Sequence, residues 1–294
     1  MTNIQAKINQ LISKTNRTWG IYAEDIDTNK KFTLNENRVF ETASTIKVFI
    51  ILALFHKLSK EKISSGTLLQ VKNEHVGVIG RSSGILQYFE HKHPLSLYNL
   101  ALLMIIVSDN PATNVLIEYL GKNYINKYIA KNLGLKKTKL LTERVNFPRN
   151  FRLDDTKMGT TTPYEIASTL KKLEENRLFD EKMSRKIIEI LSNQFMTDQI
   201  PRYLPTWINV GIRRYKIKRI ANKTGAITYE DDDYFTTRSD VALIYTRNKR
   251  RFVFAIYHEG PKDNNHIYTA DNKFKIIASR ISKALFDYFY VKRR

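Results

Sequence analysis

The two ends of this chain are patterned alike and its middle differently, and no other feature restricts the possible fold as much. Near the start, "RTWGIYAEDI" and "KKFTLNEN" are β-rich runs separated by the turn signal "DTNK", which predicts a hairpin. After about residue 215 come "YKIKRIANKTG", "DVALIYT" and "RFVFAIYHEG", again strand-like, with "TRNKR" as the turn between the last two. The following "DNKFKIIASRISKALFDYFYV" spaces its apolar residues for a helix behind an Asp-Asn start. The segments between carry helix signals: "LSLYNLALLMIIVS", "NPATNVLIEYLG" with its Gly stop, "INKYIAKNLG", "TPYEIASTLKKLEEN" and "EKMSRKIIEILSNQF". Strand-forming ends around a helical middle predict an α+β fold. Both termini return to one antiparallel sheet flanked by terminal helices, and an all-helical lobe is inserted. The expected division is residues 1–41 and 200–294 for the discontinuous sheet lobe and 42–199 for the helical lobe. Clefts between such lobes are common ligand sites.

With 294 residues, 42% of them hydrophobic, the chain can bury real cores. No stretch approaches the roughly 18 apolar residues of a membrane span, because "VFIILALF" is bounded by Lys47 and His56, so a soluble chain is expected. The first residues lack a secretory pattern, which places the protein outside the cytoplasm if a leader has been removed and in the cytoplasm otherwise. Zero cysteines exclude disulfides, thiol catalysis and cysteine-rich zinc sites. The net charge of +20 comes with basic clusters at 136–139, 213–219, 248–251 and the chain end. No RNA-binding aromatic signature, zinc finger or DNA-reading helix accompanies them, so the expectation is a generally basic surface with weak attraction to anionic surfaces and no specific nucleic acid. His91 and His93 have no metal-spaced partner, "EDDD" at 230–233 reads as a solvated turn, and "GVIGRSSG" matches no phosphate-binding loop. No metal, no cofactor and a monomer are expected.

Three short motifs carry chemistry. In "ETASTIKVFIILALF", Ser44 precedes Lys47 by three positions, which on a helix puts both side chains on one face. A lysine in apolar surroundings has its charged form disfavoured, so it can accept the serine proton and leave a nucleophilic oxygen. The same spacing at Ser59 to Lys62 and Ser168 to Lys171 lies on ordinary polar stretches. "SDN" at Ser108, Asp109 and Asn110 follows the very apolar "LALLMIIV" and reads either as a helix cap or as a polar triplet facing a cleft. "KTG" at Lys223, Thr224 and Gly225 ends a β-rich run.

Together and in this order, the three motifs resemble serine acyl enzymes of the penicillin-binding and class A β-lactamase kind. The likeness extends over nearly the whole chain through "ASTIKV", "SDNPATN", "TTTPYEIASTL", "SNQ" with "IPRYLP", and "RSDVALIY". It implies an active site between the two lobes and a β-lactam or wall-peptide substrate. Ser44 would be the nucleophile, Lys47 its proton partner, Ser108 the relay to the leaving nitrogen and Asn110 a substrate-amide contact. Lys223, Thr224 and Arg238 would receive the substrate carboxylate, and the N–H groups of Ser44 and Ala226 would form the oxyanion hole.

The pattern breaks in one loop. The family spacing Arg-x-Glu-x-x-x-Asn is met here by "RVNFPRN", where Arg144 and Asn150 fit the ends and Asn146 stands at the glutamate position. A neutral amide cannot take a proton from water, so acylation is expected to survive while deacylation slows. A shifted register would promote Glu143 instead. Alternatives on the same frame are a D,D-peptidase or other amide hydrolase, and a non-hydrolytic binder of β-lactams or wall peptides. Extra residues around "TWINVGIRRYKIK" either reshape the cleft rim or extend a hairpin.

Overall fold

Strands that are apolar on both faces need a layer on each side, and the computed structural model shows how this chain supplies both. It describes residues 3–77, 79–80, 82–90, 93–145, 157–211, 214–228, 235–261 and 271–290. In chain order the main elements are helix α1 (Asn3–Ile12), strands β1 (Thr18–Asp25) and β2 (Lys30–Leu34), and helices α2 (Lys47–Glu61), α3 (Leu97–Ile106), α4 (Asn110–Leu120), α5 (Pro163–Glu174) and α6 (Glu181–Ser192). Strands β3 (Ile217–Thr228), β4 (Phe235–Thr246) and β5 (Arg251–Pro261) and helix α7 (Lys273–Tyr290) complete them.

The strands form one antiparallel sheet in the order β2-β1-β5-β4-β3. Thr18 lies opposite Glu259 and Asp25 opposite Phe252, so the first and last strands of the chain are neighbours, as the patterning of its ends predicts. On β5, Phe252, Phe254 and Ile256 turn to one face and Val253, Ala255 and Tyr257 to the other, and all six are buried. The first set packs with Ile4 and Ile8 of α1 and Ile281, Leu285 and Phe289 of α7. The second set joins a larger core built with α2, α3, α4, α5 and α6.

Helix α2 runs through that larger core. Residues 40–55 are all buried except Ser44. A helix that is apolar all round belongs inside a protein, and each fully buried Leu, Ile or Phe contributes about 1.5–3 kcal/mol. The helix stops where Lys62 adopts the left-handed conformation at φ 55° and its N–H bonds to Leu58 O. One detail departs from the sequence reading, which put Ser44 and Lys47 on one α-helix. Residues Ala43–Ile46 form a 3₁₀ turn and the α-helix begins at Lys47, because Ala43 takes φ 44° and breaks the regular start. Side chains three apart eclipse in a 3₁₀ turn, so the two residues still share a side.

Candidate active site

Burial decides the chemistry of the lysine first. Lys47 is fully buried, and its Nζ donates to Ser108 O at 2.8 Å, Asn110 Oδ1 at 2.7 Å and Ser108 Oγ at 3.1 Å. Burial, with the Lys223 charge second, holds this amine well below the usual lysine range, and the Asp109 carboxylate offsets only part of that. A neutral amine has two N–H bonds and one lone pair. Two of the three contacts are carbonyl oxygens, which can only accept; in the neutral form that burial favours they would take both hydrogens, and the third contact, the Ser108 hydroxyl, would face the lone pair.

The "SDN" triplet serves both readings of it at once. Asp109 is the helix cap: its Oδ1 accepts from Ala112 N at 2.8 Å, and its Oδ2 accepts from Ile85 N and Leu86 N at 2.7 and 2.9 Å. This frees the flanking Ser108 and Asn110 to face Lys47. Ser108 sits in the left-handed region at φ 55°. The chain segment covering the triplet needs Gly84, at φ +104°, where an added Cβ would lie 2.3 Å from Asp109 Oδ2.

Strand β3 closes the other side. It is the edge strand of the sheet, and Lys223 on it is fully buried, donating to Ser108 Oγ at 3.1 Å and Thr224 O at 2.7 Å. The Ser108 hydroxyl therefore lies between two amines, one on α2 and one on β3. Burial lowers Lys223 to about 7, and the nearby Asp240 carboxylate opposes that shift. Gly225 brings β3 against the 3₁₀ turn: a Cβ there would lie 2.6 Å from Thr42 O and 3.1 Å from Ser44 N. Ala226 follows on the same strand, with Arg238 of β4 directly opposite it. Thr224 Oγ1 donates to Met196 Sδ at 3.2 Å, and beside Met196 the Phe195 side chain is 72% exposed on the rim.

Sequence reading missed Asp240. It sits opposite Thr224, accepts from Asn222 Nδ2 and Ile200 N, and its own pKa is raised by burial. The available signal was an acid heading the apolar run "DVALIY". A pH dependence follows. As pH rises through about 7 Lys223 loses its proton, so kcat/KM for a carboxylate-bearing substrate should fall on the alkaline side. Asp240→Asn removes the charge that raises the Lys223 pKa, so the falling limb should move to lower pH. A limb that stays in place would exclude this coupling.

Helix α4 also sets the position of the loop start. Asn110, Asn114 and Glu118 succeed one another at intervals of four along one face. Asn110 meets Lys47, and Asn114 holds the Val145 backbone, accepting from its N–H at 2.6 Å and donating to its O at 3.3 Å. Glu118 pairs with Arg144 at 3.4 Å. Val145 is buried, whereas Glu143 is 77% exposed and paired with Lys122. Asn146 and Asn150 lie outside the described residues, as do His91 and the acidic run 230–233. Glu74, His75 and Glu118 cluster closely enough to suggest a metal. Lys72 and Arg144 already pair with both carboxylates, and His75 Nδ1 accepts from Lys72 N, so the group reads as an ion-pair network.

An edge strand, a buried amine and a capped polar triplet meet at the Ser108 hydroxyl, and the same strand approaches the turn that carries half-buried Ser44. The family model described as "Beta-lactamase enzyme family" matches residues 3–289, and the chain belongs to that family. It is 24% identical to Beta-lactamase BRO-1 of Moraxella catarrhalis over 86% of this chain and 74% of that protein. It is 28% identical to a β-lactamase of Bacillus subtilis (strain 168) over 88% of this chain and 78% of that one. The crystal structure of a β-lactamase from Sphaerobacter thermophilus shares the fold with a TM-score of 0.81, at 23% identity over 99% of this chain and 97% of that chain.

Proposed function

We propose that the chain is a serine acyl-enzyme hydrolase that opens β-lactam rings through an ester on Ser44 and releases that ester slowly. The fully buried Lys47 amine, whose charged form burial disfavours and which contacts Ser108 and Asn110 together, carries this reading. Lys47 takes the Ser44 hydroxyl proton, Ser44 Oγ attacks the lactam carbonyl, the ring C–N bond breaks, and Ser108 passes a proton to the leaving nitrogen. The Ser44 and Ala226 N–H groups hold the developing oxyanion, and Asn110 holds the substrate amide. Lys223, Thr224 and Arg238 receive the carboxylate. The sheet lobe, residues 1–41 and 200–294, and the helical lobe, residues 42–199, form the two walls of the cleft. The β-lactamase names of the relatives support the substrate class.

Slow release rests on the loop after Arg144. Asn114 draws Val145, an apolar residue, toward the Lys47 side of α4, while Glu143 pairs outward with Lys122. The Asn146 beside it is a neutral amide that cannot activate water. Intact-mass spectrometry of the protein mixed with a penicillin, followed over time, tests the proposal. A long-lived adduct on Ser44 is expected. A transient adduct with steady nitrocefin turnover would remove the slow-release part. No adduct, with Ser44 accessible, would overturn the β-lactam reading and turn attention to D-Ala-D-Ala peptides.

Asn146→Glu is expected to speed adduct release by about 10²-fold, the scale of a positioned general base. Should release stay unchanged, Val145→Glu tests the neighbouring register, and failure of both would reject a missing carboxylate as the cause.

A further inference from the structure

Two basic stretches that are separate in the sequence meet at one end of the sheet through their described residues, 214–219 and 248–251. Strand β3 starts at Ile217 opposite Thr246, where β4 ends, and Arg247 N–H donates to Lys216 O at 2.9 Å. The Arg247 guanidinium stands 4.4 Å above the Tyr215 ring, and Lys216 Nζ lies 5.0 Å from the ring of Tyr290, the last residue of α7. Arg214, Lys216, Lys218, Arg247 and Lys249 are all exposed. Among the described residues none of these five has a carboxylate at ion-pair distance, whereas neighbouring Arg250 and Arg251 are paired with Asp25 and with Asp27 and Glu174.

An exposed apolar turn is anchored through its backbone to the start of the basic strand. The helical turn Trp207–Val210 leaves Ile208 75% and Val210 39% exposed. It is tied to the basic strand: Lys216 N and Ile217 N donate to Pro205 O at 2.8 and 3.1 Å, and Arg214 N and Tyr215 N to Gly211 O at 3.2 Å. This face is remote from Ser44. Ile217 and Gly225 are eight positions apart on an extended strand, roughly 26 Å.

Lysines on an edge strand are a common guard against strand-to-strand aggregation, which accounts for Lys218 and, just before the strand, Lys216. It accounts neither for cations in the β4–β5 turn nor for exposed Ile208 and Val210 beside them. A linear polyanion would engage the cations and ignore the apolar pair. Cations around exposed branched residues match a lipid interface, where basic groups meet headgroup phosphates and apolar groups enter the acyl boundary. We propose that this end of the sheet docks the protein on an anionic phospholipid bilayer, with Ile208 and Val210 inserted and Arg214, Lys216, Arg247 and Lys249 on the headgroups.

Co-sedimentation of the full chain with phosphatidylcholine vesicles of rising phosphatidylglycerol content tests this, at low and high salt. Binding should rise with phosphatidylglycerol and weaken with salt. Replacing Arg214, Lys216, Arg247 and Lys249 by glutamine should lower partitioning by about 10²-fold or more, at roughly a several-fold loss per cation. Ile208→Ser with Val210→Ser should lower it several-fold at both salt concentrations, with an unchanged melting temperature. Absence of binding to phosphatidylglycerol vesicles overturns the proposal, as does binding indifferent to both variants. Equal affinity for duplex DNA, with no effect of the Ile208 and Val210 changes, would make the face a general polyanion site and overturn it as well. The wild-type lipid and salt series decides the matter even if a variant does not fold.

Discussion

Ser44→Ala is expected to show no mass increase with any penicillin, and Lys47→Ala to acylate about 10²–10⁴-fold more slowly, the range of a lost general base. Ser44 is the one residue between positions 40 and 55 that is not buried, so a reagent reaches it and little else there. Its hydroxyl is a weak acid, and the group proposed to take its proton, three positions along the chain, is an amine whose ammonium form burial disfavours. Removing Lys47 also takes this donor from Ser108 O and Asn110 Oδ1, at about 1–3 kcal/mol for each buried group left unsatisfied, while Ser108 Oγ keeps Lys223. Lys47→Met, which keeps the volume, and a melting curve for each variant separate lost chemistry from lost stability. Time-resolved intact mass gives the acylation rate. If Lys47→Met acylates at the wild-type rate, Lys47 is not the base.

Gly225→Val should reduce acylation by about 10²–10³-fold, the cost of misplacing an oxyanion donor. The reason is steric. A Cβ at Gly225 would lie 2.6 Å from both Thr42 O and Ser239 Oγ and 3.1 Å from Ser44 N. Two of these are backbone atoms of the turn that carries the nucleophile, so β3 and the turn must move apart. That separates the Ser44 and Ala226 N–H groups, which the proposed mechanism has converge on one oxygen. Overpacking of this kind costs about 1–3 kcal/mol, so the fold should persist with a lowered melting temperature. The split between binding and chemistry is diagnostic: the acylation rate constant should fall more than affinity for the intact lactam. Wild-type acylation by Gly225→Val would mean that the Ala226 N–H plays no part.

Much of this architecture was readable along the chain because its signals are local. The alternation in "RFVFAIYHEG", the turn residues of "DTNK", and the Asp-Asn-Pro cap before α4 act over a few residues and survive in the structure unchanged. The triplets holding Ser44, Ser108 and Lys223 were legible for the same reason. Asp240 was harder to see, since its importance lies in standing across the strands from Thr224, next to Lys223, and cross-strand neighbours follow from register, not from spacing in the sequence. The 3₁₀ start of α2 escaped because Ala43 adopts a left-handed backbone that alanine does not advertise.

What the sequence alone determined is the set of elements, the order of the three motifs and the presence of a neutral residue at 146. What only the tertiary structure decided is the state of the groups those motifs contain. Lys47 and Lys223 are ordinary lysines until packing removes water from both and places one hydroxyl between them, because desolvation and neighbouring charge depend on long-range contacts. Long-range packing likewise joins two dispersed basic stretches and two exposed apolar residues into one face, which no local pattern announces.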